Sequence, residues 1–137
     1  MSEALGFAGY VVVKYAAYAW WCYIGLVRLA PDRATPVRKA AVLGAFRLAL
    51  GIGVGLFIYV AALSMNNATR NAPLTYAAIY VPVRVLEWTL LHVFVAKRFQ
   101  WPASVGWVLG GVIVSCLADV PLGMMNGGVV PVGRPFC

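Results

Sequence analysis

The chain has 137 residues, of which 63% are hydrophobic and only 11% are charged, whereas a soluble domain carries about 25% charged residues. A water-soluble fold of this composition would expose more apolar surface than its polar residues could cover, so the sequence predicts a single domain embedded in lipid. The net charge of +7 does not indicate a nucleic-acid partner. The basic residues form no face interleaved with aromatics, and several lie between apolar stretches, where lipid headgroups are the natural counter-ions.

Four apolar stretches follow one another along the chain, at about residues 7–30, 40–65, 74–95 and 102–125. A helix needs ~20 residues to cross ~30 Å of hydrocarbon, so each stretch is long enough to span a bilayer. The loops between them carry helix breakers: Pro31, Asp32 and Pro36, then Asn66, Asn67, Asn71 and Pro73, then Gln100 and Pro102. The predicted fold class is all-α, an integral membrane bundle of four transmembrane helices.

The basic residues that flank the spans predict the orientation of the chain. Six of them lie in or beside the first and third loops: Arg28, Arg33, Arg38, Lys39, Lys97 and Arg98. Only Arg70 lies in the second loop and only Arg134 in the C-terminal tail. Because cytoplasmic loops are enriched in Lys and Arg, we expect loops one and three in the cytoplasm and both termini outside. The expected location is a prokaryotic inner membrane, as a multi-pass protein.

Aromatic and small residues predict the edges and the contacts of the spans. Aromatic side chains typical of membrane interfaces are found at Tyr10, Tyr76, Phe99 and Trp101. Two GxxxG patterns, which let helix backbones approach closely, are formed by Gly51 with Gly55 and by Gly106 with Gly110. We expect the glycine pairs to serve contacts inside the bundle or between two copies of the chain.

Six ionisable residues fall inside the apolar spans: Lys14, Arg47, Arg84, Glu87, His92 and Asp119. A charged group near the centre of a membrane helix costs about 2.5 to 3.5 kcal/mol, so such residues need partners, water or a function. We therefore predict a buried polar site. Its ligand-binding residues are Lys14, Arg47, Arg84, Trp88 and Asp119, and its candidate acid–base residues are Glu87 and His92.

Spacing and depth predict which of these charges meet. Arg84 and Glu87 lie three residues apart near the middle of the third span, on one side of the helix, and are close enough to pair. Matching depths also predict a Lys14–Asp119 pair between the first and fourth spans. They predict an Arg47–Glu87 pair between the second and third, although Arg47 could instead snorkel to the interface.

Other features of the third and fourth spans favour a cavity. Pro82 lies two residues before Arg84, and Pro121 lies two residues after Asp119. Proline in a helix removes a backbone hydrogen bond and frees a carbonyl, here beside a charge. His92 lies about one turn beyond Glu87, which allows either a proton relay or an ordinary hydrogen-bonded packing role.

The familiar catalytic and cofactor motifs are absent from the sequence. It has no HExxH, GxSxG, GxxxxGK or Rossmann glycine pattern. Cys22, Cys116 and Cys137 lack CxxC spacing, so neither a disulfide framework nor a metal site is predicted. A single histidine excludes bis-histidine haem ligation within one chain. The sequence names no cofactor and does not decide whether the chain is an enzyme.

Three functions are compatible with these residues. Three buried bases against two buried acids favour an anionic or polar-headed, lipid-like ligand held by Arg47 and Arg84. The alternatives are an oligomeric, proton-coupled transporter or channel that uses Glu87, His92 and Asp119, and an accessory subunit of a larger membrane complex. The expected partners are membrane lipids, a lipid-like or small anionic ligand, and a second copy or a membrane complex.

Overall fold

A computed structural model describes residues 3–31, 34–96 and 98–125 as helices joined by short loops, without a strand in these ranges. The helices are α1 (Glu3–Leu29), α2 (Pro36–Thr69), α3 (Ala72–Thr75), α4 (Val81–Val95) and α5 (Ala103–Met125). A π-helical turn, Tyr76–Tyr80, joins α3 to α4, so the three form one continuous third span. Among the described residues, four helical segments are long and apolar enough to cross a membrane: α1, α2, the third span and α5. The predicted all-α, four-helix membrane fold is confirmed.

The helices extend beyond the apolar stretches. The 34 residues of α2 reach about 51 Å, well beyond the ~30 Å of hydrocarbon. Pro36 was predicted to lie in the first loop as a helix breaker, but it is the first residue of α2, where a missing N–H costs no helical hydrogen bond. Asn66 and Asn67 lie inside α2 as well, because helical hydrogen bonding continues past the point where hydropathy falls. The helix ends at Thr69, and the next residue, Arg70, has a left-handed φ of 50°.

The two prolines inside the predicted spans have different surroundings. In the π-helical turn the N–H of Val81 bonds to the carbonyl of Tyr76, five residues back. Pro82 follows directly, and its ring would clash with the carbonyl four residues before it in a regular α-helix. The wider turn relieves that clash, so the third span is irregular just before Arg84. At Pro121, by contrast, α5 continues to Met125.

Reciprocal tryptophans join α1 to α5. The indole N–H of Trp21 donates to the carbonyl of Trp107 at 2.9 Å, and the indole of Trp107 donates to the carbonyl of Trp21 at 3.1 Å. Glycine makes room for both rings, because a Cβ at Gly110 would lie 2.2 Å from Trp21 and a Cβ at Gly25 would lie 2.4 Å from Trp107. Gly106, in contrast, has no atom within 4 Å of its would-be Cβ.

The backbones of α1 and α2 approach each other closely at Gly44. A Cβ there would be 2.8 Å from backbone atoms of Ala19. The predicted glycine pair of α2 has a different place, since Gly51 and Gly55 line a polar cavity inside the bundle. The atoms nearest to a would-be Cβ at Gly51 belong to the side chains of Arg47 and Glu87, so this glycine leaves space beside charged side chains and does not bring two backbones together.

Candidate functional site

Asp119 is the hub of a hydrogen-bond network inside the bundle. Its side chain is 1% exposed. Oδ1 accepts hydrogen bonds from Nζ of Lys14 at 2.8 Å and from the hydroxyl of Tyr10 at 3.0 Å. Oδ2 accepts from the hydroxyl of Tyr76 at 2.9 Å and from Nη2 of Arg84. One carboxylate of α5 therefore ties together α1, the third span and its own helix.

The structure confirms the predicted Lys14–Asp119 pair and corrects the partner of Arg84. Arg84 was predicted to pair with Glu87 on its own helix, but its guanidinium bonds to Asp119. Glu87 bonds to Arg47, with 2.5 Å between Oε2 and Nη2. Arg84 and Glu87 thus each bond to a residue of a neighbouring helix and not to one another.

The Arg47–Glu87 pair lies deep inside the bundle and joins α2 to α4. The side chain of Arg47 is 2% exposed, so the alternative in which it snorkels to the interface is wrong. Its guanidinium lies 4.9 Å from the ring centre of Tyr18 and 5.4 Å from that of Trp88, within the range of cation–π attraction. The indole N–H of Trp88 donates to Ser115 at 2.8 Å, which fixes the ring that faces the arginine.

A small cavity lies beside the ion-paired residues. It has a volume of about 20 Å³, and its charged lining consists of Lys14, Arg47, Arg84 and Glu87. A polar cavity of ~10–15 Å³ is enough for one water molecule, so this one holds a single group of that size or slightly larger. We call these four residues together with Asp119 the polar site.

The cavity is not sealed from the surface of the bundle. Leu48 and Ile52 of α2 and Val83 of α4 belong to its lining and are themselves partly exposed. They belong to two of the candidate membrane spans, Pro36–Thr69 and Ala72–Val95. Part of the cavity lining therefore lies at the surface that α2 and α4 form, in the region that lipid chains would occupy.

The polar site has more cations than carboxylates, and two of its hydrogen-bond donors have no partner among the described residues. The buried charges of the described residues are three cations and two carboxylates, which leaves an excess of one positive charge. Nη1 of Arg84 and Nε of Arg47 are buried without a hydrogen-bond partner among the described residues. Buried polar groups nearly always have a partner, and leaving one without costs about 1–3 kcal/mol. The arrangement is chemically suited to hold an anion.

His92 lies apart from the polar site. Its Nε2 is 2.7 Å from the hydroxyl of Ser104, which also accepts the backbone N–H of Gln100 at 2.8 Å. Five residues beyond Glu87, it is about 7.5 Å further along the axis of α4. The structure does not bring His92 and Glu87 together, and the contacts of His92 fasten the end of α4 to the start of α5.

Two tyrosines of the polar network were assigned from the sequence to the interfacial aromatic belt. Tyr10 is 4% exposed, and both Tyr10 and Tyr76 donate to Asp119. The sequence could have shown that Tyr10 belongs to the network, because Tyr10, Lys14 and Tyr18 are spaced i, i+4, i+8 and share one face of α1. Tyr76 lies eight residues before Arg84. Because an irregular turn lies between them, spacing alone does not show that the two side chains share one side of the span.

No family model, curated protein or solved structure matches this chain. Its function is therefore inferred from the geometry of the polar site.

Some residues named from the sequence lie outside the described residues: Asp32, Arg33, Lys97, Arg134 and Cys137. The orientation based on the flanking basic residues stays a prediction.

Cys22 and Cys116 are free thiols. Within the described ranges, no three His, Cys, Asp or Glu side chains gather closely enough to hold a metal ion.

Proposed function

We propose that this membrane protein binds the anionic headgroup of an amphiphile, which reaches the polar site sideways from the lipid. The observation that carries the proposal is the excess positive charge around a cavity whose two arginines each keep a buried N–H without a partner. An anionic oxygen would satisfy both donors through charge-assisted hydrogen bonds. It would also neutralise the excess charge, which is costly in a medium of low dielectric constant.

The position of the opening supports an amphiphile over an ion that arrives from water. The proposed entrance is the gap between α2 and α4, where Leu48, Ile52 and Val83 of the cavity lining are partly exposed. The same two helices also expose apolar side chains such as Phe57 and Leu86, which are 89% and 70% exposed. A free ion would have to cross hydrocarbon to reach this gap, at a large desolvation cost. A ligand with an apolar chain keeps that chain in the lipid while its headgroup enters the site.

Each residue of the polar site has a definable part in such binding. Arg47 and Arg84 donate to the headgroup, and Lys14 adds positive charge at the cavity wall. Glu87 and Asp119 hold the three cations in place, because each carboxylate is already bonded to them. The ligand therefore meets a prearranged set of donors, and little conformational freedom is lost on binding.

The contacts of Glu87 and His92 support ligand binding more directly than catalysis or proton transport. Glu87 is the only acid that lines the cavity among the described residues, and it is engaged by Arg47. A relay would need a route from Glu87 to His92, yet His92 is bonded to Ser104. Association with a second copy or with a larger membrane complex stays a prediction from the sequence.

Mass spectrometry of small molecules retained by the purified protein tests the proposal. We expect the wild-type chain to retain an anionic amphiphile, and Arg84→Gln to lower its occupancy about tenfold or more, because a charged hydrogen bond contributes about 1.5–3 kcal/mol. Arg70→Gln is the matched control, since Arg70 is exposed at the end of α2. An empty wild-type protein, or equal retention by Arg84→Gln, would count against the proposal.

A further inference from the structure

The size and charge of the cavity narrow the class of headgroup. We infer that the polar site takes a monoanion no larger than a carboxylate, carried by a single-chain, fatty-acid-like amphiphile. The inference rests on the proposed function and goes beyond it, because it excludes phosphate headgroups, which are the commonest anions of membrane lipids.

Volume is the first argument. The cavity of about 20 Å³ holds little more than one water-sized group. A carboxylate is flat and can place one oxygen there while its chain leaves through the gap between α2 and α4. A phosphodiester has a tetrahedral centre with four oxygens and a second ester arm, and all of them would have to fit among buried side chains.

Charge is the second argument, and it is independent of volume. The polar site has an excess of one positive charge, so one negative charge neutralises it. A phosphate monoester carries about −1.5 to −2 charges at neutral pH and would leave uncompensated negative charge in the bundle. Charge therefore disfavours a phosphate monoester, whereas a phosphodiester, which is itself a monoanion, is disfavoured by its volume alone.

Gly51 lines the cavity and leaves space beside the Arg47–Glu87 pair. A Cβ at this position would lie 2.9 Å from Nη1 of Arg47 and 4.0 Å from Oε1 of Glu87, so a methyl group would intrude on the ion pair. Gly53, two residues further along α2, has no atom within 4 Å of its would-be Cβ. Gly51→Ala and Gly53→Ala therefore make the same chemical change in the same helix, and only the first affects the cavity.

Equilibrium binding to the full-length, detergent-solubilised protein tests the inference. The probes share one oleoyl chain and differ only in the headgroup: oleate, oleoyl lysophosphatidylglycerol and oleoyl lysophosphatidate. We expect wild type and Gly53→Ala to bind oleate equally well, and Gly51→Ala to bind it about tenfold more weakly, as expected when a charged hydrogen bond is disturbed. Both phosphate probes should bind wild type at least about tenfold more weakly than oleate.

The outcomes separate this inference from the proposed function. If lysophosphatidylglycerol binds as tightly as oleate and Arg84→Gln abolishes both, the size limit is overturned and the proposed function stands. If no probe shows binding that depends on Arg84, both fail. A monoanion could also come from water, so displacement of oleate by chloride but not by gluconate at equal ionic strength would overturn the amphiphilic source.

Discussion

Lys14 and Asp119 lie 105 residues apart in the sequence, and their Nζ and Oδ1 atoms are 2.8 Å apart inside the bundle. Removing one partner of a buried ion pair leaves an uncompensated charge and costs about 3–5 kcal/mol. Asp119→Asn deprives both Lys14 and Arg84 of their carboxylate. We expect it to lower the free energy of unfolding by at least about 3 kcal/mol, as measured by SDS titration followed by tryptophan fluorescence.

A double-mutant cycle isolates the pair itself. In the double variant Lys14→Met with Asp119→Asn, one of the two uncompensated cations is removed together with the carboxylate. The loss of stability should therefore be smaller than the sum of the two single losses, by about 0.5–3 kcal/mol. Strictly additive losses would show that Lys14 and Asp119 do not interact.

Glu87→Gln should change stability and anion binding in opposite directions. It leaves Arg47 buried without its carboxylate, so we expect the free energy of unfolding to fall by about 3–5 kcal/mol. It also raises the excess positive charge of the polar site, so retention of an anionic amphiphile should increase severalfold. SDS titration measures the first effect and mass spectrometry of retained molecules the second. Loss of the ligand in Glu87→Gln would instead indicate that the positioning of Arg47 by the carboxylate matters more for binding than the added positive charge.

Two glycines of one GxxxG pattern should respond differently to the same substitution. A Cβ at Gly110 would lie 2.2 Å from the ring of Trp21, whereas Gly106 has open space. Gly110→Ala should destabilise the protein by about 1–3 kcal/mol through overpacking. Gly106→Ala should leave stability unchanged or raise it by up to about 1 kcal/mol, because alanine is the better helix former. Equal effects in SDS titrations would contradict the contact between Gly110 and Trp21.

His92 and Ser104 should matter for stability and not for the ligand. Ser104→Ala removes the hydroxyl that contacts both His92 and the N–H of Gln100. We expect a loss of about 1–3 kcal/mol in the free energy of unfolding, with retention of the amphiphile unchanged. If Ser104→Ala lost the ligand while its stability stayed unchanged, His92 and Ser104 would belong to the functional site.

The positions of the four spans could be predicted because long apolar runs are readable from hydropathy. Their ends could not, since helical hydrogen bonds continue through polar residues such as Asn66 and Asn67. The pairs Lys14–Asp119 and Arg47–Glu87 followed from matching depths in the membrane. The partner of Arg84 did not, because spacing along one helix shows which residues can meet but not which carboxylate a neighbouring helix brings closer.

The cavity and the two tyrosines that donate to Asp119 could not be predicted from the sequence. A volume of about 20 Å³ depends on how α1, α2 and α4 pack, and no local pattern encodes it. Tyr76 has the residue type of an interfacial belt, and only the irregular turn before Pro82 directs it to Asp119. Gly51 fits a helix-packing pattern, yet its neighbours are the charges of Arg47 and Glu87.

Photo-crosslinking tests the central claim most directly. Proteoliposomes would be prepared with a diazirine-bearing fatty acid or a diazirine-bearing phosphatidylglycerol, and the labelled residues would be mapped by mass spectrometry. The account predicts labelling concentrated beside the gap, at Leu48, Ile52 and Val83, and its loss in Arg84→Gln. Labelling that is equally strong at exposed residues of α5 such as Ile113 and Leu117, and unchanged in Arg84→Gln, would contradict it.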